Sequence, residues 1–146
     1  MAVTLDTSVL ADLFLPVEEG RKVKAKGAIE IVEGREILIY NPKIFIIEFL
    51  SILRRFLSKE MVENALQVTR NINFFEESEI FEIAKELSLE VHPRAIDAYF
   101  IATAKLTDSI LISNDKTMVN NSRETGIEAY YLIEEHDRAV ERLREI

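Results

Sequence analysis

Near its N-terminus the chain reads Val3-Thr-Leu-Asp-Thr-Ser-Val-Leu10. β-Branched and aliphatic residues open this segment and predict a buried strand, whereas the Asp-Thr-Ser that follows is typical of the start of a helix. A second segment, Ile110-Leu-Ile-Ser-Asn-Asp115, has the same organisation, with a short apolar strand followed at once by polar residues. Both segments therefore predict a strand that runs directly into a helix and carries an aspartate near the junction.

Further short apolar segments alternate with helical patterns along the chain. This alternation predicts βαβ units, and therefore an α/β fold whose parallel sheet has helices on both faces. We predict one domain over residues 1–146, because no repeat, low-complexity segment or linker interrupts the pattern. The predicted strands are residues 3–5, 36–40, 73–76, 109–113 and 127–132. The predicted helices are a short one ending near Pro16, then residues 18–32, 43–57, 58–70, 78–88, 94–106 and 116–123, and a charged, exposed C-terminal helix within 134–146.

Composition excludes several classes of protein. The 146 residues include no cysteine and two histidines, which excludes a disulfide framework, a cysteine–zinc site and a thiol nucleophile. The net charge of −8 is opposite to that of a protein that holds nucleic acid on a broad basic face. The most apolar run, residues 44–53, is too short to span a membrane, and the N-terminus lacks the basic segment of a signal peptide. We therefore expect a cytoplasmic protein with no membrane association.

Two aspartates follow predicted strands. Asp6 comes directly after Val3-Thr-Leu, and Asp115 comes shortly after Ile110-Leu-Ile. Because ligands of open parallel sheets bind beyond the carboxyl ends of the strands, these two carboxylates are expected in one crevice if their strands are neighbours. The alternative is that each aspartate only caps the helix that follows it, since aspartate is a favoured N-cap residue.

Two further carboxylates, Glu48 and Asp97, lie within apolar helical segments. Burial of an ionised carboxylate is costly unless it is paired or binds a metal ion. Both residues are therefore candidates for a metal site, and the alternative for each is an ion pair. The candidate ion-pair partners are Arg94 for Asp97, and Lys43, Arg54 or Arg55 for Glu48.

These four acids would form an oxygen-only ligand set if the fold brought them together. Without a cation, their mutual repulsion would raise their pKa values and destabilise the fold. Carboxylate oxygens are the ligands that Mg²⁺ and Mn²⁺ prefer. One or two such ions would support phosphodiester hydrolysis, because a bound ion generates hydroxide from water and neutralises charge on the phosphoryl group and the leaving oxygen. The sequence therefore favours a metal-dependent phosphodiester hydrolase.

Three segments, in this order, resemble the PIN-domain nucleases, particularly the VapC-type toxins. They are Asp6-Thr-Ser-Val-Leu10, Ile96-Asp-Ala-Tyr-Phe-Ile-Ala-Thr-Ala104 and Leu111-Ile-Ser-Asn-Asp115, with Glu48 in an apolar helix between the first two. The resemblance covers essentially the whole chain. It implies a three-layer α/β/α fold with a mainly parallel central sheet, and a Mg²⁺- or Mn²⁺-dependent endoribonuclease that cuts single-stranded RNA.

The resemblance also implies a role for each candidate residue. Asp6, Glu48, Asp97 and Asp115 match the four acidic positions of the family. The implied ligands of the principal ion are Asp6, Asp97 and Asp115, and Glu48 is expected to bind a second ion or to position the attacking water. The supporting residues are Ser8, Ser113 and Asn114.

For VapC-type members the resemblance further implies a homodimer and an antitoxin. A hydrophobic segment of that antitoxin would lie in a groove of the toxin, and one of its basic side chains would block the acids. We predict the groove between the helices of residues 43–57 and 59–70. PIN domains also serve in RNA maturation and quality control, so structured RNA is a second expected substrate.

Other interpretations of the strand-end aspartate fit less well. A haloacid-dehalogenase phosphatase needs a second aspartate at the position that Ser8 occupies, and a receiver domain needs an aspartate where Asn41 ends the strand of residues 36–40. The alternative that stays open is a catalytically silent α/β module that binds RNA or a protein partner and holds its acids in ion pairs. Metal dependence distinguishes it from the nuclease.

Overall fold

The computed structural model describes residues 1–146 and contains one sheet of five strands. The strands lie in the order β3-β2-β1-β4-β5, and every neighbouring pair is parallel. The α/β class and the parallel sheet are thus confirmed. The strands are β1 (Ala2–Leu5), β2 (Leu38–Pro42), β3 (Ile72–Phe75), β4 (Ile110–Ser113) and β5 (Ala129–Tyr131).

Helices cover both faces of this sheet and give the expected three-layer α/β/α arrangement. Helix α6 packs against β1 and β2 together with α5, whereas α8 packs against β4 and β5 together with α2. No helix has both the length and the apolarity that crossing a bilayer requires. The helices are α1 (Thr7–Ala11), α2 (Glu19–Gly34), α3 (Phe45–Arg54), α4 (Lys59–Ala65), α5 (Glu77–Glu90), α6 (Ala95–Thr107), α7 (Lys116–Glu124) and α8 (Leu132–Glu145), with a 3₁₀-helix at Leu66–Thr69.

The strand order reverses between β1 and β4. From β1 the chain moves outward to β2 and β3 on one side, and it then crosses back to β4 on the other side. Leu5 is paired with Ile112 at the carboxyl ends of these two strands, and the N–H of Asp6 donates to the carbonyl of Ile112 at 3.0 Å. The residues that follow β1 and β4 are therefore held side by side, at the point where open α/β sheets bind ligands.

Strand β2 extends two residues beyond its predicted end. We expected Asn41-Pro42 to stop the strand at Tyr40, but both residues belong to β2. The reason is that Asn41 and Pro42 pair with Phe74 and Phe75 of β3. The buried amide of Asn41 also joins β2 to β1: its Nδ2 donates to the carbonyl of Leu5 at 2.9 Å, and its Oδ1 accepts from the Leu5 N–H at 3.1 Å. Asn41 thereby fixes the last residue of β1.

An aromatic cluster fixes α3 over the sheet. Phe45 stacks on Phe49 of the same helix, with ring centroids 5.2 Å apart, and packs against Phe74 of β3 and Phe100 of α6. Phe45 and Phe49 are fully buried, whereas Ile47 is exposed. The intervening Glu48 therefore lies at the boundary between the core and the solvent.

Two predicted helix boundaries in the middle of the chain are wrong. Helix α5 is capped by a reciprocal pair, in which the carboxylates of Glu76 and Glu79 each accept a backbone N–H from the other residue, and Ser78 is not the cap. The predicted helix of residues 58–70 ends as α4 at Ala65 and continues as a 3₁₀-helix. Its predicted start is correct, since Ser58 caps α4 through the N–H of Met61. The other predicted elements are present, with ends shifted by a few residues.

The C-terminal helix was expected to be exposed, and this is wrong. Helix α8 carries many charges, but Leu132, Ala139, Val140 and Leu143 on one side are buried. These positions recur with helical periodicity, so the helix has an apolar stripe that packs against α2 and the sheet while the charges face solvent.

Truncation of this stripe should destabilise the whole fold. Leu143 is fully buried, so Leu143→Ala is expected to lower the free energy of unfolding by about 3 kcal/mol, through lost burial and the cavity left behind. Urea denaturation followed by circular dichroism measures the loss. The matched control is Arg144→Ala, an exposed neighbour whose substitution should cost less than about 0.5 kcal/mol. Equal effects of the two substitutions would mean that α8 does not dock.

Candidate functional site

Asp6 begins the site at the carboxyl end of β1. Its side chain is buried, with 5% of the residue exposed. One carboxylate oxygen, Oδ2, accepts a hydrogen bond from the hydroxyl of Ser8 and another from the hydroxyl of Ser113, both at 2.7 Å. The side chain makes no capping bond to α1, so the alternative that Asp6 is only a helix cap is wrong. The other oxygen, Oδ1, accepts no hydrogen bond and is available to a ligand.

Burial raises the pKa of Asp6 to about 6. The two hydroxyl hydrogen bonds oppose this rise because they favour the charged carboxylate, whereas the negative charges of Glu48 and Asp97 add to it. The charges of Glu48 and Asp97 thus act on Asp6, with smaller effects than its burial. Three of the four predicted acids thus share one electrostatic environment.

Two serine hydroxyls connect Asp6 to the segment that follows β4. The hydroxyl of Ser113 donates to Asp6 and accepts from the N–H of Asp115 at 2.8 Å. The hydroxyl of Ser8 donates to Asp6 and accepts from the N–H of Asn114 at 3.0 Å. Each hydroxyl therefore links the Asp6 carboxylate to the backbone of the segment that carries Asp115.

Asp115 combines a structural contact with a contact inside the site. Its Oδ1 caps α7 by accepting from the N–H groups of Thr117 at 2.9 Å and Met118 at 3.3 Å. The capping alternative is thus correct for one oxygen of Asp115. Its Oδ2 instead accepts from Arg94 at 3.1 Å. The helix cap fixes the rotation of the carboxylate and directs this second oxygen away from α7.

Asp97 is paired with the arginine that the sequence indicated. Arg94 Nε lies 3.0 Å from Asp97 Oδ2, and its Nη2 lies 3.5 Å from Asp97 Oδ1. The pKa of Asp97 is nevertheless raised, because burial outweighs the favourable charge of Arg94 and because Asp115 adds a nearby negative charge. Arg94 bridges the two aspartates, so Asp97 and Asp115 lie within reach of one cationic side chain.

Glu48 has none of the predicted ion-pair partners. Lys43 pairs with Glu76 at 2.9 Å, and Arg54 donates to the carbonyl of Leu57. The carboxylate of Glu48 is instead close enough to raise the pKa values of Asp6 and Arg94 by its charge. Glu48 itself is partly buried in α3, and no ion pair engages its carboxylate.

Asn114 points away from the four acids. Its Nδ2 donates to Asp12 at 2.7 Å, and Asp12 also accepts two hydrogen bonds from the guanidinium of Arg21, at 2.9 and 3.0 Å. Burial raises the pKa of Asp12, and Arg21 and Asn114 oppose that rise. These hydrogen bonds fix the position of Asn114, the residue before Asp115. Asn114 therefore supports the site only indirectly.

Asp12 was not among the predicted site residues, although its sequence context contains a signal. Asp12 follows Val9-Leu-Ala and precedes Leu13-Phe, so it is a carboxylate in apolar surroundings, as Glu48 and Asp97 are. Its partner Arg21 lies nine positions later, beyond the loop after α1. No local spacing rule pairs residues at that separation, and the pairing emerges only in the fold.

The donor set fits a hard divalent cation. The four acids offer only oxygen ligands, and Asp6 Oδ1 and the Glu48 carboxylate have no cationic partner. No three acids are close enough together to ligate one ion in this structure, and Asp97 and Asp115 share the single positive charge of Arg94. A cation bound here would relieve the repulsion that raises the pKa of Asp6.

Comparison with known proteins identifies the family of the chain and solved structures with a similar fold. The PIN domain family model matches residues 3–124. No curated protein is significantly similar to the chain. Among solved structures, FitAcB from Neisseria gonorrhoeae is 15% identical with a TM-score of 0.64, over 88% of this chain and 96% of that chain. PAE2754 from Pyrobaculum aerophilum is 15% identical with a TM-score of 0.59, over 100% of this chain and 98% of that chain. At this identity the two structures establish the fold only.

Because the pKa of Asp6 is raised, replacing Asp6 with a neutral residue should stabilise the fold, by an amount that depends on pH. Since the pKa is about 6 in the folded chain and 3.8 in the unfolded chain, the stability that protonated Asp6 contributes is lost as the pH rises from about 4 through 6. Without divalent ions, Asp6→Asn should therefore be more stable than the wild type by about 1–3 kcal/mol at pH 7.5, with the difference vanishing near pH 4.

Urea denaturation in chelator between pH 4 and 8 measures this difference. The matched control is Asp108→Asn, which neutralises an exposed aspartate whose backbone is left-handed, a conformation that asparagine also tolerates. The control should change stability by less than about 0.5 kcal/mol. A difference for Asp6→Asn that is independent of pH would contradict the assignment.

Proposed function

The chain belongs to the PIN domain family, whose members are generally nucleases, and we propose that it is a Mg²⁺- or Mn²⁺-dependent endoribonuclease that hydrolyses phosphodiester bonds of single-stranded RNA. The observation that supports the proposal is the pairing of β1 with β4, which sets Asp6 and Asp115 at neighbouring strand ends, with Asp97 of α6 joined to Asp115 through Arg94. Asp6, and Glu48 in α3, have no cationic partner, and Asp97 and Asp115 share a single arginine. This is a concentrated negative charge at the ligand-binding edge of the sheet.

In this proposal the four acids have two roles, metal binding and positioning of the attacking water. Asp6, Asp97 and Asp115 would hold the principal ion, and Glu48 would hold a second ion or orient the attacking water. When bound, the metal would supply acidification of that water and neutralisation of the phosphoryl charge. Ser8 and Ser113 hold Asp6 Oδ2, and so they keep the rotamer that leaves Oδ1 available.

A catalytically silent module is the second candidate, and one observation favours it. Arg94 forms the ion pairs with Asp97 and Asp115 that this alternative expects. The same alternative requires cations for Asp6 and Glu48, and no lysine or arginine pairs with either. Half of the acid cluster thus remains without the compensation that a purely structural role needs.

We further propose a homodimer and an antitoxin partner, as the VapC-type motifs of the sequence imply. The segment from α3 to α4, where we predict the groove, carries exposed apolar side chains, namely Ile47, Phe56 and Met61, which support an apolar contact in that region. An RNA-processing role with a structured RNA is the corresponding proposal if the protein has no antitoxin. Static light scattering of the purified chain tests the dimer directly.

Neutralisation of either central aspartate should abolish cleavage without unfolding the protein. Asp6→Asn and Asp97→Asn each remove a proposed metal ligand, so cleavage of a labelled single-stranded RNA in Mn²⁺ should fall by at least about 100-fold. Gel analysis of the products measures cleavage, and circular dichroism verifies the fold of each variant.

Asp108→Asn, purified in the same way, is the control for charge and for contaminating nuclease, and it should cleave like the wild type. Chelator should stop cleavage by both proteins. Cleavage that persists in chelator, or equal cleavage by Asp97→Asn and Asp108→Asn, would contradict the metal-dependent nuclease. RNA binding without any cleavage would support the silent module.

A further inference from the structure

Arg94 is the one basic residue that forms ion pairs with the acid cluster. It precedes α6, and Asp97 lies one turn into that helix, so the two side chains meet at a spacing of three residues. The same guanidinium reaches across to Asp115 at the start of α7, at 3.1 Å. One guanidinium therefore joins two helices through their carboxylates.

The exposure of the partners is very unequal. The side chain of Arg94 is 76% exposed, whereas that of Asp97 is 8% exposed and that of Asp115 is 31% exposed. The two carboxylates are held by the fold, because Asp97 is buried in α6 and Asp115 caps α7. The arginine is held mainly by its charge. Its departure into water would leave the positions of both carboxylates fixed and no cavity behind.

We propose that Arg94 is the resident counterion of the acid cluster and that it leaves Asp97 and Asp115 when a divalent cation binds. The inference rests on the proposed metal-dependent function and assigns to Arg94 the control of metal affinity. Arg94 acts through the two carboxylates and is a positioning residue. Without metal it holds like charges together, and with metal it competes for the same oxygens.

Competition follows from the charges and the geometry. Asp97 presents both of its oxygens to the guanidinium, and Asp115 presents the only oxygen that is not engaged in capping α7. A cation that bound these oxygens would have to displace the arginine, since two cations in contact with the same carboxylates repel each other. A divalent cation from solution would thus replace the Arg94 guanidinium at these carboxylates.

Removal of the arginine charge should therefore strengthen metal binding. Arg94→Gln is expected to bind Mn²⁺ about tenfold more tightly than the wild type, measured as loss of the free-Mn²⁺ electron paramagnetic resonance signal on titration. Arg94→Lys keeps the charge but loses the fork geometry, so it should lie between the two. The matched control is Arg144→Gln, which makes the same change in net charge at an exposed position in α8 and should leave the affinity unchanged.

A thermal unfolding series separates counterion exchange from a purely structural role. In chelator, Arg94→Gln should unfold several degrees below the wild type, because repulsion between the acids is no longer compensated. Saturating Mn²⁺ should raise its melting temperature by more than it raises that of the wild type. A structural role alone predicts the same deficit with and without Mn²⁺. If Arg94→Gln does not fold, tighter Mn²⁺ binding by Arg94→Lys than by the wild type supports the proposal, and unchanged or weaker binding overturns it.

The outcomes distinguish this inference from the proposed function. Equal or weaker Mn²⁺ binding by folded Arg94→Gln overturns the counterion role, even if wild-type cleavage is metal-dependent. Tighter binding by Arg94→Gln supports the counterion role, even if neither protein cleaves RNA, in which case only the nuclease proposal fails. Failure of both proteins to bind Mn²⁺ overturns the inference.

Discussion

The structure depends on the pair of hydrogen bonds that Ser8 and Ser113 donate to one oxygen of Asp6. A carboxylate buried at a strand end without partners would be costly enough to displace the strand. The two hydroxyls come from opposite sides of the site, one from the helix that follows β1 and the other from the end of β4. Ser8 lies two residues from Asp6 and reaches it locally, whereas Ser113 reaches Asp6 because β1 and β4 are adjacent, parallel and paired so that Leu5 lies beside Ile112. The strand order of the sheet and the chemistry of the site therefore require each other.

The sequence was sufficient to predict the parallel sheet and its covering helices. Short apolar strands alternate with helical segments, and both signals are local. The four acids were recognised for the same reason, since a carboxylate that ends a strand or interrupts an apolar helix is visible within a few residues. The convergence of the acids is not local, because it depends on the strand order. Asp6 and its hydrogen-bond partner Ser113, for example, are separated by 107 positions in the chain.

Errors arose where one residue acts in two ways. Asn41 is a strand breaker by propensity, but it pairs with Phe74 of β3 while its buried amide bonds to the backbone of Leu5, and the strand continues. Helix α8 is highly charged, so its composition indicated exposure. Leu143 and the other apolar residues on one side of the helix nevertheless form a buried stripe that packs against α2. Asp115 was considered as either a helix cap or a site residue, and its two oxygens perform both functions. Tertiary contacts resolved each case.

The ion-pair and metal interpretations of the acid cluster become compatible once Arg94 is considered. A permanent ion pair between Arg94 and two aspartates would exclude a cation at the same carboxylates. Yet the arginine is exposed and the carboxylates are fixed, so the pair can open without disturbing the fold. Asp6 explains why opening would be favoured: burial raises its pKa to about 6, the charges of Glu48 and Asp97 add to that rise, and Arg94 does not reach Asp6. A single monovalent side chain leaves this cluster under-neutralised, and that residual negative charge is what a divalent cation would bind.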